Sequence, residues 1–282
     1  MKKSILFFGA FAFAASVSFG QTPTGQNNTS TTNQIGNDNN ATVTQFGNDN
    51  ISALTQDGNR NMGEVKQGGF GGGGIQSNNA EAFMLQIGAD NNALIEQRQG
   101  FSAGTAGSYH EIVQDGKENQ AKLTTFNGGN EGFVDQAGNR NWALGRQSSS
   151  GHLLFIDQIG NDNRAEVDQL GARNNFAQIL QDGNRNDAKT WQRGDSNNAT
   201  IVQTGNDNEA IAITQEGDEN SLLVLQSGNG NVSSIGQLGN TNLGIVDILG
   251  NNNITSLSQT GFGNSSLQIV TGNGNMSTVV QN

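Results

Sequence analysis

A short motif, Gln-x-Gly-x-x-Asn, recurs along nearly the whole chain and restricts what the chain can fold into. Counted from Gln34, it occupies 22 slots, and 19 of these carry Gln. Of the 21 intervals between slots, 17 are 11 residues long. Self-similarity at a fixed short period is typical of a repeat architecture in which each unit packs on its neighbours. The period therefore outweighs the Gly-, Asn-, Gln- and Ser-rich composition, which alone would indicate disorder.

The four irregular intervals support the same frame. Two intervals of 12 residues end at Gln181 and Gln215, and two longer ones of 19 and 17 residues carry Gly-rich insertions. These insertions, Phe70 to Ser77 and about Gly100 to Gly107, both fall just after the Gln, where a turn is expected. Loops accept insertions and packed strands do not.

Within each unit, side chains alternate as in a β-strand with one buried face. The residues six, four and two before each Gln, with the Gln itself, read Asn, small, large aliphatic, Gln, as in Asn39, Ala41, Val43 and Gln45. Most charged residues fall on the opposite face; Glu209 is a doubtful exception. We expect stacked units to place like amides over each other as ladders formed by Gln45, Gln56, Gln67, Gln97, Gln158, Gln169, Gln203, Gln226 and Gln237 and by Asn39, Asn50, Asn61, Asn91, Asn163, Asn197 and Asn231.

The residues between successive strands predict tight turns. Gly supplies the positive φ that a reversal requires, and Asn and Asp tolerate it next best. The turn glycines include Gly36, Gly47, Gly58, Gly160, Gly205 and Gly239.

One such strand cannot bury its inner face alone, so two units must face each other in a coil of 22 residues. The chain reverses between them, which sets small residues opposite large ones and Asn opposite Gln. Side-chain amides carry both donor and acceptor, so buried ladders can satisfy themselves along the stack. The sequence thus predicts an all-β, cross-β type, two-sheet β-solenoid of about 11 stacked coils.

The first 33 residues read differently from the repeats. Lys2 and Lys3 precede an apolar run from Ile5 to Val17, and small residues before Gln21 suit a cleavage site, which together are typical of a secretory signal peptide. A membrane anchor is the alternative, although the run is short for a spanning helix. We expect a signal peptide over 1–20, a flexible polar segment over 21–33, and the solenoid over 34–282.

Charge and chemistry exclude several classes of function. The net charge of −11 without a basic patch disfavours nucleic-acid and anionic-membrane binding, and a secreted chain with no Cys must be stable without disulfides. His110 and His152 have no ligand spacing, and the Gly71 to Gly74 run lacks the Lys-Ser/Thr of a phosphate loop. We expect no catalytic, cofactor or metal site, and therefore no enzyme.

The repeated Gln-x-Gly-x-x-Asn unit, followed by Ala, an aliphatic residue and another Gln, resembles the curlin repeat of bacterial curli subunits. The resemblance covers Gln34 to Asn282. It implies a secreted subunit that polymerises into an extracellular amyloid fibre of the biofilm matrix, with roles in adhesion. It also implies that the main partner of the chain is another copy of itself. A nucleator subunit and an outer-membrane secretion pore are the further partners, and the subunit does not insert into the membrane.

Alternate units lie on opposite sheets, so the two outer faces can be compared. One face carries an apolar stripe, which is unusual for a soluble monomer and suggests lateral packing. The alternative is simple β-propensity, because aliphatic and aromatic residues suit strands anyway. The candidate lateral face comprises Phe83, Leu85, Phe133, Phe155, Leu223, Leu225 and Ile245.

The final coils hold almost no charge and no Pro, which favours open ends that stack head to tail. Three other functions stay open: a minor nucleator subunit of the same fibre, a monomeric β-solenoid adhesin, or an ice-binding protein. Ice binding requires a flat column of Thr, which Thr42, Thr44 and Thr200 do not form.

Overall fold

The computed structural model describes residues 25–68, 77–98 and 107–282, and this part of the chain forms 22 β-strands and no helix. Odd-numbered strands form the first sheet: β1 (Thr29–Asn37), β3 (Ile51–Asn59), β5 (Glu81–Ala89), β7 (Tyr109–Lys117), β9 (Glu131–Asn139), β11 (Leu153–Asn161), β13 (Phe176–Asn184), β15 (Asn198–Asn206), β17 (Ser221–Ser227), β19 (Leu243–Leu249) and β21 (Ser265–Thr271). Even-numbered strands form the second sheet: β2 (Asn40–Gln45), β4 (Met62–Gln67), β6 (Asn92–Arg98), β8 (Gln120–Phe126), β10 (Trp142–Ser148), β12 (Arg164–Leu170), β14 (Asp187–Arg193), β16 (Glu209–Glu216), β18 (Val232–Asn240), β20 (Ile254–Phe262) and β22 (Met276–Gln281). The expected signal peptide, residues 21–24 and most of the two Gly-rich insertions lie outside the described residues.

Both sheets are parallel, and each strand pairs with the strand two further along the chain. The register keeps equivalent repeat positions together, as in Gln34 with Gln56 and Gly36 with Gly58. Each pair of consecutive strands is one coil, so the predicted two-sheet β-solenoid of 11 coils is confirmed. At about 4.8 Å per coil, the stack is about 50 Å long.

The core is a thin layer between the sheets, and small residues face large ones across it. A Cβ added to Gly63 would lie 2.8 Å from Met84 Sδ and 3.0 Å from Leu54 Cδ1. Where a small residue takes the slot that is usually large, the residue facing it on the opposite strand is large instead. Gly145 occupies a slot that is usually aliphatic, and Leu154 of the facing strand fills the space, 2.8 Å from where a Cβ would lie.

The two 12-residue intervals are accommodated in different ways. Before Gln181 the extra residue lies between β12 and β13, because the pairing of β13 with both neighbours is regular. Before Gln215 it produces a register shift within β16. The shift leaves Asn208 in the buried ladder position and Glu209 only half-buried. Glu209, the doubtful exception to the separation of charge, therefore does not occupy the inward ladder position.

Two connections alternate along the chain. The first arc runs from an odd strand to the next even strand, and the second arc returns from an even strand to an odd one. Gly160, in the first arc, shows why glycine is needed there. Its φ is +113°, and an added Cβ would lie 1.9 Å from the carbonyl oxygen of Gly183 in the next coil. The residue here must adopt a positive φ and must also leave room for the backbone of the next coil, and only glycine does both.

We predict that Gly160→Ala destabilises the folded chain by about 1–3 kcal/mol, because it adds both a strained φ and a clash with backbone. Gly236→Ala is the matched control, since φ at Gly236 is not positive and no atom lies within 4 Å of its added Cβ. Urea unfolding measures both variants. Equal midpoints for the two variants would contradict the role given to the glycine column.

Candidate functional site: side-chain ladders and open ends

Glutamine side chains form one hydrogen-bonded ladder under each sheet. In the first sheet each amide Nε2 donates to the Oε1 of the next Gln at 2.8–2.9 Å, from Gln34 through to Gln226. In the second sheet the corresponding bonds are 2.8–3.1 Å. The other amide proton reaches a backbone oxygen, as from Gln158 to Trp142 at 3.1 Å. All nine glutamines named from the sequence take part.

The ladders of inward asparagines run in the opposite sense. Asn163 illustrates the pattern: its backbone N–H donates to Asn141 Oδ1 at 3.0 Å, and its Nδ2 donates to the carbonyl oxygen of Gly183 at 2.8 Å. Asparagine thus bonds the coils before and after it through main chain as well as side chain. The structure places Asn50 and Asn197 in the second arc and Asn39, Asn61, Asn91, Asn163 and Asn231 in the first.

A third ladder, on the outside of the first arc, was missed from the sequence. Asn139 Nδ2 donates to Asn161 Oδ1 at 2.8 Å, and the same bond recurs through to Asn273. The signal was the residue that follows each turn glycine, which is Asn in most first arcs. From the sequence alone, an Asn at this position predicts only a turn.

The next position of the first arc carries charges that pair between coils. Arg140 donates to both oxygens of Asp162 at 2.7 Å, and the same geometry joins Arg185 to Asp207. The hydrogen bond from Arg140 lowers the pKa of the Asp162 carboxyl. These residues have φ near +57°, a conformation that non-glycine residues seldom adopt. Their side chains bridge coils at a point where the backbone alone is strained.

The glutamine ladder of the second sheet is interrupted at Thr125 and is bridged there by a histidine from the opposite sheet. His110 Nδ1 lies 2.8 Å from Gln97 Nε2, and its Nε2 lies 3.1 Å from Gln147 Oε1. The neutral ring with its proton on Nε2 fits these partners, accepting from Gln97 and donating to Gln147. Gly132 leaves room for the ring, since an added Cβ would lie 2.6 Å from His110 Cδ2.

The second histidine replaces an asparagine in the second arc. His152 N–H donates to Asn130 Oδ1 at 3.0 Å, and its Nδ1 lies 3.3 Å from the backbone N of Asn175. Burial lowers the pKa of His152. Both histidines of the chain therefore continue a ladder with a ring in place of an amide.

We predict that stability falls between pH 6.5 and 4 because of His110. Complete burial lowers its pKa from 6.5 to about 4, so the unfolded chain binds the proton first as the pH falls. The loss at pH 5 is about 2 kcal/mol relative to pH 7. Urea unfolding at both pH values measures it. The double variant His110→Ala/Thr125→Gln rebuilds a regular ladder, so its loss of stability from pH 7 to pH 5 should be smaller than that of wild type by about 2 kcal/mol. An unchanged pH dependence in this variant would contradict the role given to His110.

The outer face of the first sheet carries a column of aromatic rings. Phe83, Tyr109, Phe133, Phe155 and Phe176 follow one another with centroids 4.9–6.1 Å apart. The candidate lateral face expected from the sequence does not include Tyr109 and Phe176. Burial and the neighbouring Glu111 raise the pKa of Tyr109 to about 12. Leu85, Leu223, Leu225 and Ile245 lie half-buried on the same face.

The outer face of the second sheet is more polar. Arg146 pairs with Glu166 at 2.6 Å and with Asp168, and Arg164 pairs with the same Glu166 at 3.0 Å. Both carboxylates are buried by this network. The arginine guanidinium of Arg164 also lies over the Trp142 ring, 4.6 Å from its centroid. The two faces thus differ in chemistry.

The glutamine ladder of the second sheet ends differently at the two ends of the described stack. At the N-terminal end, formed by β1 and β2, Gln45 Oε1 is buried and has no hydrogen-bond partner in the described part of the chain. At the C-terminal end, formed by β21 and β22, the ladder stops at Gln281, whose Nε2 donates to Ser265 O at 2.8 Å. In the part of the chain that the structure describes, each of these four end strands pairs on one side only.

The fold and these ladders define a class: a two-sheet β-solenoid whose coils are bonded by stacked amides. A family model for the curlin associated repeat matches residues 25–58, 129–171, 183–217, 211–239 and 217–247, half of the chain. The chain belongs to the curlin-repeat family, a family of structural proteins. A search of the curated proteins found no match.

Two further searches of the described residues concern membranes and metals. None of those residues forms a helix with the length and apolarity that crossing a bilayer requires. Nor do three or more of their His, Asp and Glu side chains gather where a metal ion could be held.

Proposed function

We propose that this protein is the structural subunit of an extracellular curli-type amyloid fibre, and that copies elongate it by stacking head to tail. The buried, unpartnered Gln45 Oε1 at the N-terminal end is the observation that carries the proposal. Everywhere else in its ladder the equivalent oxygen accepts a hydrogen bond from the preceding Gln, except at Gln147, where His110 is the partner. A second copy whose C-terminal end lies against this surface would supply the missing donor from Gln281.

The direction of the ladders supports one orientation of stacking. Glutamine amides donate toward higher residue numbers, as Gln237 does to Gln259, so the C-terminal end offers a donor and the N-terminal end an acceptor. The inward asparagines have the reverse sense, as in the bond from Asn275 to Asn253. Both sets match when a C-terminal end meets an N-terminal end. Two C-terminal ends would oppose glutamine donor with donor, and two N-terminal ends would oppose acceptor with acceptor.

The unpaired strands at the ends support the same proposal. An open β-edge is a template for another strand, and proteins that stay monomeric usually block it. Over residues 25–68, 77–98 and 107–282, β1, β2, β21 and β22 each have one edge that no other strand covers, and none of the four contains Pro. The backbone bonds of a new coil would add to the side-chain ladders.

Location and partners follow from the leader-like residues 1–20 and from the family. We propose export of the chain and growth of the fibre outside the cell, with roles in the biofilm matrix and adhesion. A nucleator subunit and an outer-membrane pore are the partners that this route requires.

We predict that Gln281→Glu slows fibre elongation at least fivefold at pH 7. The carboxylate still accepts from Gln259 within the chain, but it presents an acceptor and a charge to Gln45 Oε1 of the next copy. Gln120→Glu, at an exposed outward position, makes the same change of charge away from the ends.

Seeded elongation followed by thioflavin fluorescence compares the two variants, and fibre diffraction tests for the cross-β spacing. Equal rates for the two variants would contradict the ladder-to-ladder joint. A wild-type chain that stays monomeric without cross-β diffraction would overturn the proposed function itself.

The aromatic column supports a second level of assembly, in which fibres pack laterally through the first sheet. We predict that Phe133→Lys/Phe155→Lys/Leu223→Lys abolishes bundling while single fibres still elongate, because the apolar face becomes charged. Thr42→Lys/Ser234→Lys/Ser256→Lys on the second sheet adds the same charge as a control. Electron microscopy of fibre widths distinguishes them, and bundles that persist in the first variant would refute the lateral face.

A further inference from the structure

The main aliphatic column of the first sheet is polar at its two ends. The position two before each Gln, or before Ile248 and Val270 in the last two coils, pairs from strand to strand along the whole stack. Nine inner coils hold an apolar side chain there, and the two terminal coils hold Thr32 and Gln268. The column reads Thr32, Leu54, Met84, Ile112, Val134, Ile156, Ile179, Ile201, Val224, Val246 and Gln268.

Gln268 is only partly satisfied within its own chain. Its Nε2 donates to Ser256 O at 3.1 Å and to Ser277 Oγ at 3.3 Å. Its Oε1 is buried and has no hydrogen-bond partner among the described residues. A buried acceptor without a partner is disfavoured, and native chains rarely retain one. The Oε1 atom of Gln268 therefore lacks a hydrogen-bond donor at the end of the stack.

Thr32 lies at the opposite end of the same column. It is the inward residue of β1 at this position, and it is exposed because no coil precedes β1 among the described residues. If a second copy continues the register, Thr32 follows Gln268 at one strand spacing, about 4.8 Å. A hydroxyl both donates and accepts, so it can serve whichever amide atom faces the joint.

We propose that Thr32 and Gln268 form a hydrogen-bonded pair at every joint between copies, and that this pair makes elongation selective for a second copy of the same chain. The inference rests on the proposed head-to-tail fibre. An incoming chain with an aliphatic residue in place of Thr32 would leave the Gln268 oxygen buried and unpartnered in the joint. Selectivity thus comes from the penalty on the wrong partner as much as from the bond to the right one.

A simpler reading is that each polar residue only keeps an apolar column end away from water. The two readings differ in coupling. Independent caps respond separately to substitution, whereas a pair can be replaced as a unit by two apolar side chains at little cost.

The test compares seeded elongation of Thr32→Val, Gln268→Leu and the double variant, each on seeds of its own kind. Both single variants should elongate at least fivefold more slowly than wild type, because each leaves one polar group unpaired. The double variant should return to within twofold of wild type. Thr31→Val, on the same strand but outward, is the matched control and should elongate normally.

Cross-seeding tests selectivity directly. Double-variant monomers on wild-type seeds should add slowly at both ends, since each joint pairs an apolar residue with a polar one. Circular dichroism and urea unfolding check that every monomer folds. Elongation of the single variants at the rate of Thr31→Val, or a double variant as slow as the singles, would overturn the pair. Failure of wild type itself to form fibres would instead defeat the proposed function.

Discussion

The structure depends on one constraint: polar groups buried between the sheets must find partners along the stacking axis. The core is too thin to shield an amide in a pocket of its own, and an unsatisfied amide there is strongly disfavoured. Identical residues at a 22-residue register solve this, because an amide over an amide supplies a donor to an acceptor. Gln, Asn, the turn glycines and the fixed strand length all serve that register. Chains of such bonds also polarise one another, so each coil strengthens the next.

The same constraint explains what replaces an amide where the repeat departs from itself. Thr125 is too short to reach its neighbours, and the ladder continues through His110 from the facing sheet. His152 stands in for asparagine in the second arc. At Ile248 and Val270 the first-sheet ladder simply ends, with apolar side chains near the C-terminal end. The two sheets therefore present different ladder ends to a second copy, and only the second sheet continues its glutamine ladder to its last strand.

Much of the architecture could be predicted from the sequence, because a period of 11 with strict alternation leaves few alternatives. Strand number, parallel stacking and the opposition of small and large residues all follow from the frame. The repeat frame could not predict contacts and bulges that depend on how the coils pack in three dimensions. The spacing before Gln215 is a bulge within β16, whereas the identical spacing before Gln181 lies between strands. Tyr109 joins the aromatic column diagonally, from a position that differs from that of Phe83. The Arg140–Asp162 pair becomes visible only when coils, rather than units, are aligned.

The placement of the two long intervals has a geometric consequence. Both lie in the second arc, between β4 and β5 and between β6 and β7, on the same edge of neighbouring coils. In a fibre of stacked copies, that edge would return once every 11 coils, about 50 Å apart. The length of one chain would then set the distance between successive copies of that edge. A group fused at either interval would be displayed along one side of the fibre at a spacing set by the number of coils alone, and adding or removing a whole 22-residue coil would change that spacing by about 4.8 Å.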